Sequence, residues 1–308
     1  MKPVFSAIAL CVLAAGLNRA QEETGAVFRT DTRLVVLHAT VVDKNGRHVT
    51  TLPRTAFQAF EDGVEQQIRI FRREDVPVSM GLVIDNSGSM REKRSKVEAA
   101  ALGLVKASNP QDEVFIVNFN DAPYQDVPFT SDLKRMQEGI ARIDSSGGTA
   151  MRDAILASIG YAKSKGRHDK KVIVAITDGN DNMSEVELDR LIREAQQQEV
   201  VVYVIGLFSD KDRGEARKAK RAIDELTRAT GGLAYYPEEV DQVGKVALQV
   251  AHEIRNQYII AYSPSNPALD GSYRRIQLQV KGPNRPVART RTGYYATAAP
   301  AASRAAER

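Results

Sequence analysis

The chain has 308 residues, a length that suits one large domain or two modest ones. Hydrophobic residues make up 43% and charged residues 27%, which is ordinary for a globular protein and excludes disorder of the whole chain. The formal net charge is +4, and it is +2 without residues 1–20, which contain Lys2 and Arg19. That near balance argues against a dedicated nucleic-acid binder, because such proteins carry a concentrated basic face.

The first twenty residues have the layout of a secretory signal peptide. Lys2 gives a positive start, residues 4–17 are almost wholly apolar or small, and Ala20 precedes a polar run. We therefore expect cleavage after Ala20 and export, either to a periplasm or out of the cell; an uncleaved N-terminal anchor is the alternative. Because the cleaved segment contains the sole cysteine, Cys11, the mature chain would have no disulfide and no thiolate metal site. No later apolar run reaches the length of about 20 residues that spans a membrane, so no integral span is expected.

A small β unit is predicted next. Two segments rich in β-branched residues, 34–37 and 39–42, lead into a tight turn around Gly46. A second turn at 61–63 leads into a returning strand at 67–71. This segment leaves no room for a sheet covered by helices.

From residue 76 onward, strands alternate with helices. This alternation predicts an α/β fold with a doubly wound, mostly parallel sheet that is covered on both faces. The first strand, 78–84, is a continuous apolar run of the kind found in strands buried on both sides. The later predicted strands are 113–119, 171–177, 201–208 and 233–236. The predicted helices cover 97–105, 133–143, 151–162, 185–198, 216–230 and 240–254.

The β character returns after residue 256, with strand-like segments at 258–262, 273–280 and 287–292. Residues 296–308 are rich in alanine and are predicted to form a loose tail. Each β flank alone is too small to hold a stable core. We therefore expect residues 21–75 and 256–295 to pair into one small β-sandwich-like module, into which the α/β domain of residues 76–255 is inserted.

Hydroxyl and carboxylate side chains converge on one edge of the predicted sheet. Asp85, Ser87 and Ser89 follow strand 78–84 in a D-x-S-x-S spacing, at the edge where open α/β sheets bind ligands. Thr149 follows a Gly pair before a helix, and Asp178 follows strand 171–177. These hard oxygen donors suit Mg²⁺ or a similar cation. Taken alone, the first three residues also suit a helix N-cap; the last two favour a metal site.

These residues resemble the metal ion-dependent adhesion site (MIDAS) of the von Willebrand factor A (VWFA) family, a likeness that covers about residues 76–255. The matched family positions are Asp85, Ser87, Ser89, Thr149 and Asp178. The resemblance implies that the three hydroxyls bind the ion and that the two carboxylates hold it largely through waters. It also implies Mg²⁺, or else Mn²⁺ or Ca²⁺, as the cofactor. An ion with few direct carboxylates keeps positive charge, so an open coordination position can take an Asp or Glu of a protein partner.

The β flanks resemble a narrower group, the bacterial VWFA-related proteins, through residues 41–47, 57–63, 273–276 and 291–295. Together these features predict an extracytoplasmic, cation-dependent protein-binding module that is not an enzyme. One alternative is a structural or assembly component of the cell envelope whose metal site is unused. The other is a Mg²⁺-dependent phosphoryl-transfer enzyme. It lacks support because Ser87, two residues after Asp85, is not a second acid, and because no Lys motif is placed to hold a phosphate. The oligomeric state stays open.

Several other sequence features are interpreted as structural, without a catalytic or metal-binding role. No histidine partners Ser87 or Ser89 in a hydrolase motif. The loop from Asp178 looks like a calcium loop, but its twelfth residue is Asp189 and not Glu, which favours a polar loop beside the metal site. Asn180 or Asp181 could still touch a ligand. The basic clusters at 91–96, 163–171 and 211–221 are predicted to be solvated surface.

Overall fold

A computed structural model describes residues 34–73, 75–141, 145–178, 181–208 and 213–297. The predicted signal peptide lies outside the described residues, as does the predicted tail after residue 297. Within the described ranges, no helix is long and apolar enough to cross a membrane.

The described elements are fourteen strands and six α-helices. The strands are β1 (Val35–Val42), β2 (Phe57–Glu61), β3 (Val64–Gln66), β4 (Ile68–Arg72), β5 (Val78–Asp85), β6 (Glu113–Phe119), β7 (Pro123–Thr130), β8 (Lys170–Thr177), β9 (Val200–Gly206), β10 (Ala234–Tyr235), β11 (Tyr258–Tyr262), β12 (Tyr273–Val280), β13 (Val287–Arg289) and β14 (Gly293–Tyr295). The helices are α1 (Arg94–Ala107), α2 (Leu133–Ala141), α3 (Met151–Lys165), α4 (Leu188–Gln197), α5 (Arg213–Thr230) and α6 (Val243–Arg255).

The central sheet has six strands in the order β10-β9-β8-β5-β6-β7. All neighbouring strands run parallel except β7, which pairs antiparallel with β6. Strands β5, β6 and β9 are buried at every position, because helices cover both faces of the sheet. Helices α1, α2 and α6 share one apolar cluster with the sheet, and helices α3, α4 and α5 share the other. The predicted doubly wound, mostly parallel fold is confirmed.

The β flanks form two further four-stranded sheets. One has the order β13-β1-β11-β4 and the other β14-β12-β2-β3, so each sheet combines strands from both ends of the chain. Their inner faces share one apolar cluster that includes Leu37, Phe57, Tyr258 and Leu278. The predicted sandwich-like module, built from both flanks around an inserted α/β domain, is confirmed. The exact domain limits remain predictions.

The strand predictions differ from the structure where the chain changes sheets. The strand predicted at 67–71 is β4, but it does not return beside β2: it pairs with β11 in the opposite sheet. The strand that returns beside β2 is β3, which the sequence analysis does not predict. Likewise, the strand predicted at 287–292 ends at Arg289, and β14 pairs with β12 in the other sheet. A pattern of apolar residues cannot show such a change, because both sheets face the same core.

The sequence analysis does not predict strand β7, and it predicts the start of α4 three residues too early. Strand β7 lies at the edge of the sheet, where its two prolines are tolerated. Helix α4 begins at Leu188 and not at 185, because Asp153 accepts the backbone N–H groups of Glu185 and Val186 at 3.1 and 2.9 Å. Those bonds hold the segment before Leu188 in a loop.

Candidate metal centre

The candidate site lies at the carboxyl ends of two neighbouring parallel strands, β5 and β8. Asp85 is the last residue of β5, and Asp178 directly follows β8. The register pairs Ile84 with Ile176, so the two strands end at the same level. The topology therefore brings together two carboxylates that are far apart in the sequence.

A run of short contacts joins four of the five predicted site residues. The Asp85 Oδ1 accepts the backbone N–H of Ser87 at 2.8 Å. The hydroxyl oxygens of Ser87 and Ser89 are 3.1 Å apart, and Ser89 Oγ donates to Asp178 Oδ1 at 2.7 Å. The backbone N–H of Ser87 and the hydroxyls of Ser87 and Ser89 thus link the two carboxylates.

The helix-cap alternative does not match this geometry. Ser87 precedes a 3₁₀ turn at Gly88–Met90, and its side chain makes no capping hydrogen bond there. Helix α1 begins four residues further on, at Arg94, after Lys93. The hydroxyls of Ser87 and Ser89 instead contact each other and Asp178.

Asp85 is fixed in place by a residue that the sequence analysis did not select. Thr177 Oγ1 donates to Asp85 Oδ2 at 2.6 Å, and Asp85 is only 1% exposed. Burial raises the pKa of Asp85; the hydrogen bonds from Ser87 and Thr177 oppose that rise, and the charge of Asp178 adds to it. A buried carboxylate beside a second acid favours a cation nearby. The feature of the sequence that could have identified Thr177 is its position in the T-D-G motif, directly before Asp178.

The loop that carries Thr149 is tied to the Ser87–Ser89 turn by the backbone. Ser146 donates its N–H to Asn86 O at 3.0 Å, and Gly88 donates to Gly147 O at 3.3 Å. Thr149 is buried, and its own N–H donates to Asn182 Oδ1 at 2.9 Å. These bonds place Thr149 on a loop beside the turn; its role as a ligand stays a prediction.

The two glycines before Thr149 are required by a close approach. Gly147 has φ +78°, and a Cβ there would lie 2.5 Å from Asp121 Oδ2. Gly148 donates its N–H to Asp121 Oδ1 at 2.6 Å, and a Cβ on it would lie 3.0 Å from that oxygen. A side chain at Gly147 would be strained at this φ and would displace the Asp121 carboxylate from the loop. Asp121 is another supporting residue that the sequence analysis missed.

A lysine contacts the site, contrary to the prediction that cluster 91–96 is solvated surface. Lys93 Nζ forms an ion pair with Asp178 Oδ2, and its side chain is only 21% exposed. In the same cluster, Arg91 donates to Ser145 O at 3.1 Å. Both contacts join residues that are far apart in the sequence, so the run of basic residues could not by itself reveal them.

The polar loop after Asp178 supports the site through hydrogen bonds. Asp181 Oδ2 accepts the backbone N–H and the Nε of Arg152 at 2.8 and 2.9 Å, and Asn182 holds Thr149. Asn180 lies outside the described residues. Asp181 is thus engaged with Arg152, and Asn182 is a supporting residue that was not anticipated.

The residues present fit a hard divalent cation. Mg²⁺ binds oxygens at 2.0–2.1 Å in an octahedron, which places adjacent oxygens about 2.9 Å apart. The separations of 3.1 Å between Ser87 and Ser89 and 2.7 Å between Ser89 and Asp178 bracket that value. Among the described residues, the buried oxygens Asn86 Oδ1 and Ser145 Oγ, both next to this cluster in the fold, have no hydrogen-bond partner. Every donor is a hard oxygen, and the described ranges hold no cluster of three His, Cys, Asp or Glu.

Comparison with known proteins agrees with this fold. Residues 80–180 match the family model of the von Willebrand factor type A domain. This part of the chain is therefore a von Willebrand factor type A domain, and the resemblance stated from its motifs is confirmed for it. Domains of this family are known in adhesion and protein interaction, and they are generally interaction modules and not enzymes.

Two curated relatives and one solved structure illustrate the likeness. Calcium-activated chloride channel regulator 1 of Mus musculus is 29% identical over 215 residues, which cover 66% of this chain and 20% of that protein. The Equus caballus protein of the same name is 26% identical over 170 residues, 52% of this chain and 17% of that protein. This chain thus matches about a fifth of their length. A von Willebrand factor type A structure from Catenulispora acidiphila covers 85% of this chain and 73% of its own, with a TM-score of 0.51 and 13% identity, and shows the fold alone.

Proposed function

We propose that this chain is an extracytoplasmic protein-binding module that acts through a divalent cation. The cation, Mg²⁺ or else Mn²⁺ or Ca²⁺, would be held by Asp85, Ser87, Ser89, Thr149 and Asp178. A partner protein would supply an Asp or Glu carboxylate to the same ion. The observation that carries this proposal is the run of contacts from Asp85 through the Ser87 backbone N–H, and from the Ser87 and Ser89 hydroxyls to Asp178.

The serines and the aspartate of the site have different parts in this proposal. Ser87 and Ser89 offer neutral hydroxyl oxygens, which leave the charge of an ion largely uncancelled. Asp85, held from both sides by Ser87 and Thr177, supplies a fixed negative charge from within the fold. When bound, the cation would supply the positive charge that attracts a carboxylate of the partner.

The exposure of the site suits a docking role. Asp85 and Thr149 are buried, whereas Ser89 and the neighbouring Gly88 are exposed. The oxygens therefore form the floor of an accessible site whose open side is at Ser89. A large partner can reach such a site, whereas an enclosed active site would exclude it.

The proposed location outside the cytoplasm depends on the N-terminal sequence. Lys2, the apolar run 4–17 and the small residue Ala20 follow the order of a secretory signal peptide. Mass determination of the N-terminus of the protein made in its own cells would test this part. A chain that still begins at Met1 and stays with the cytoplasmic fraction would contradict it.

Capture of partners from the cell envelope tests the binding role. We expect the wild-type chain to retain one or more proteins in the presence of Mg²⁺ and to release them in EDTA. Asp85→Ala should retain none, while Asp189→Ala, an exposed acid on α4, should behave like the wild type. Retention that is unchanged by EDTA and by Asp85→Ala would contradict the proposal.

A further inference from the structure

A second candidate binding site lies at the opposite end of the central sheet from Asp85. A cavity of about 690 Å³ separates the amino ends of β8 and β9 from the face of the β13-β1-β11-β4 sheet. Its volume lies within the range of about 300–1,000 Å³ that is typical of small-molecule sites. None of the five candidate metal ligands lines it.

Part of the cavity wall is apolar because of strand alternation. On β1, the residues Val35 and Leu37 are buried in the sandwich core, so Val36 and His38 face the other way and line the cavity. Ile70 of β4 lines it from the same sheet. The wall can therefore accept a hydrocarbon portion of a ligand.

The cavity also concentrates positive charge. Its lining contains six Lys or Arg residues against two acids, Asp169 and Glu199; the six are Arg72, Lys163, Arg167, Lys170, Lys171 and Arg291. Lys170 is only 5% exposed, and burial lowers its pKa to about 8. Arg291 is 7% exposed and donates to Val36 O at 2.9 Å and to Glu199 Oε1 at 3.0 Å. Burying a cation is costly unless an anionic group compensates it. Glu199 compensates Arg291, whereas Lys170 donates to the carbonyl of Ile254 and forms no ion pair within the described residues.

Three polar atoms of lining residues lack partners in the described part of the chain. They are Nδ1 of His38, Oγ1 of Thr290 and Nε of Arg291. Buried polar groups are nearly always paired, so three unpaired ones around one cavity call for a ligand or an ion. The Arg291 Nε–H can only donate, and the other two groups can donate as well. Burial, with the charges of Lys170 and Arg291, lowers the pKa of His38 to about 3, which agrees with a positive local potential.

We propose that this cavity binds a small organic anion, whose carboxylate or phosphate oxygens accept hydrogen bonds from Arg291, Thr290 and His38. The apolar part of the ligand would lie against Val36 and Ile70. Lys163 at the exposed rim would attract the anion without contacting its buried end. This site is separate from the proposed cation site, so either can fail without the other.

Calorimetric titration of the mature chain with three probes tests the proposal. Hexanoate carries a carboxylate and an apolar tail, inorganic phosphate carries the anion alone, and 1-hexanol carries the tail alone. We expect saturable binding of hexanoate, of phosphate or of both, which identifies the preferred headgroup, and at least tenfold weaker binding of hexanol. The imidazole NMR signals of His38 should shift with the anion, while those of His252 should not. Absence of binding by both anions, or equal binding of hexanol and hexanoate, would overturn the proposal.

Two substitutions separate a binding role from a structural one. Thr290→Val keeps the side-chain shape and removes an unpaired hydroxyl, so the thermal midpoint without ligand should not fall. Anion affinity should nevertheless drop by about tenfold, as expected for the loss of a hydrogen bond to a charged group. Lys163→Gln, on the surface, should weaken binding by a few-fold, whereas Lys165→Gln on the same helix but outside the cavity should not. Unchanged affinity in both Thr290→Val and Lys163→Gln would contradict the proposal.

Discussion

Ser89 Oγ lies 2.7 Å from Asp178 Oδ1, a contact that joins two residues 89 positions apart in the sequence. Because Asp178 follows β8 and Ser89 follows β5, this bond links the loops of two neighbouring strands. It is also the bond that a cation at this site would replace or share. The consequences of that arrangement can be measured one residue at a time.

Removal of the Ser89 hydroxyl should weaken divalent-cation binding without unfolding the chain. Ser89 is exposed, so Ser89→Ala should change the free energy of unfolding by less than about 0.5 kcal/mol. The apparent affinity for Mn²⁺, followed by electron paramagnetic resonance, should fall by about tenfold or more, since one oxygen donor is lost. Ser95→Ala, at an exposed position on α1, is the matched control. Equal affinities in both variants would show that Ser89 is not a ligand.

Neutralising Lys93 should have the opposite effect. The Lys93 ammonium pairs with Asp178 Oδ2 and so competes with any cation for that carboxylate. Lys93→Gln should therefore raise Mg²⁺ affinity by about tenfold, as expected when a nearby like charge is removed. Lys96→Gln removes a charge three residues further on, in the first turn of α1, where Lys96 pairs with the exposed Asp241, and should leave the affinity nearly unchanged. Weaker cation binding in Lys93→Gln would mean that the lysine assists the site.

The buried ion pair of α6 should matter far more to stability than a surface pair on the same helix. Glu253 is 1% exposed and pairs with Arg289, while Tyr203 and Tyr235 donate to its carboxylate. Glu253→Gln leaves the Arg289 charge uncompensated and should lower the free energy of unfolding by about 3 kcal/mol. Loss of the exposed pair between Asp75 and Arg255, by Asp75→Asn, should cost less than about 1 kcal/mol. Denaturant titration measures both, and similar losses would refute the ranking.

Acid should destabilise the chain partly through His38. The pKa of His38 is lowered from 6.5 to about 3 by burial and by the charges of Lys170 and Arg291. Between those values the unfolded chain binds a proton that the folded chain excludes, so stability is lost as the pH falls from 6.5 towards 3. The limiting slope is about 1.4 kcal/mol per pH unit for one proton.

His38→Gln should flatten that slope, because the replacement does not titrate. His168→Gln is the control, since His168 also lines the cavity but at a partly exposed position. Unfolding free energies measured at intervals between pH 4 and 7 would show the difference. Identical slopes for the wild type and His38→Gln would mean that His38 is protonated in the folded chain as it is in the unfolded one.

The central sheet could be predicted well because its strands are continuous apolar runs. Strand β6 matches its predicted range, and β5 differs by one residue. Strands that are buried on both faces are continuous apolar runs, which stand out in the sequence. Strand β7 could not be predicted, because an edge strand with two prolines resembles a loop. The sheet changes after β3 and β13 depend on tertiary pairing, which local patterns do not encode.

The sequence predicts the candidate ligands of the site but not the residues that support them. The D-x-S-x-S spacing and the T-D-G motif are local, so Asp85 and Asp178 stand out in the sequence. Lys93 and Asn182 act through contacts between loops, which exist only once the sheet has formed. The sequence therefore predicts solvated surface at 91–96, although Lys93 contacts Asp178. It places the polar loop beside the site but does not single out Asn182, which holds Thr149.

The most direct test of the account is a calorimetric titration of Mg²⁺ into the wild type, Thr149→Ser and Thr149→Val. Thr149 is the predicted ligand that lies on a different loop from Asp85 and Asp178, and Thr149→Ser keeps its hydroxyl while Thr149→Val keeps its shape. The account predicts one Mg²⁺ per chain for the wild type and Thr149→Ser, and a loss of at least about tenfold in affinity for Thr149→Val. No saturable binding by the wild type, or equal affinity in Thr149→Val, would contradict it.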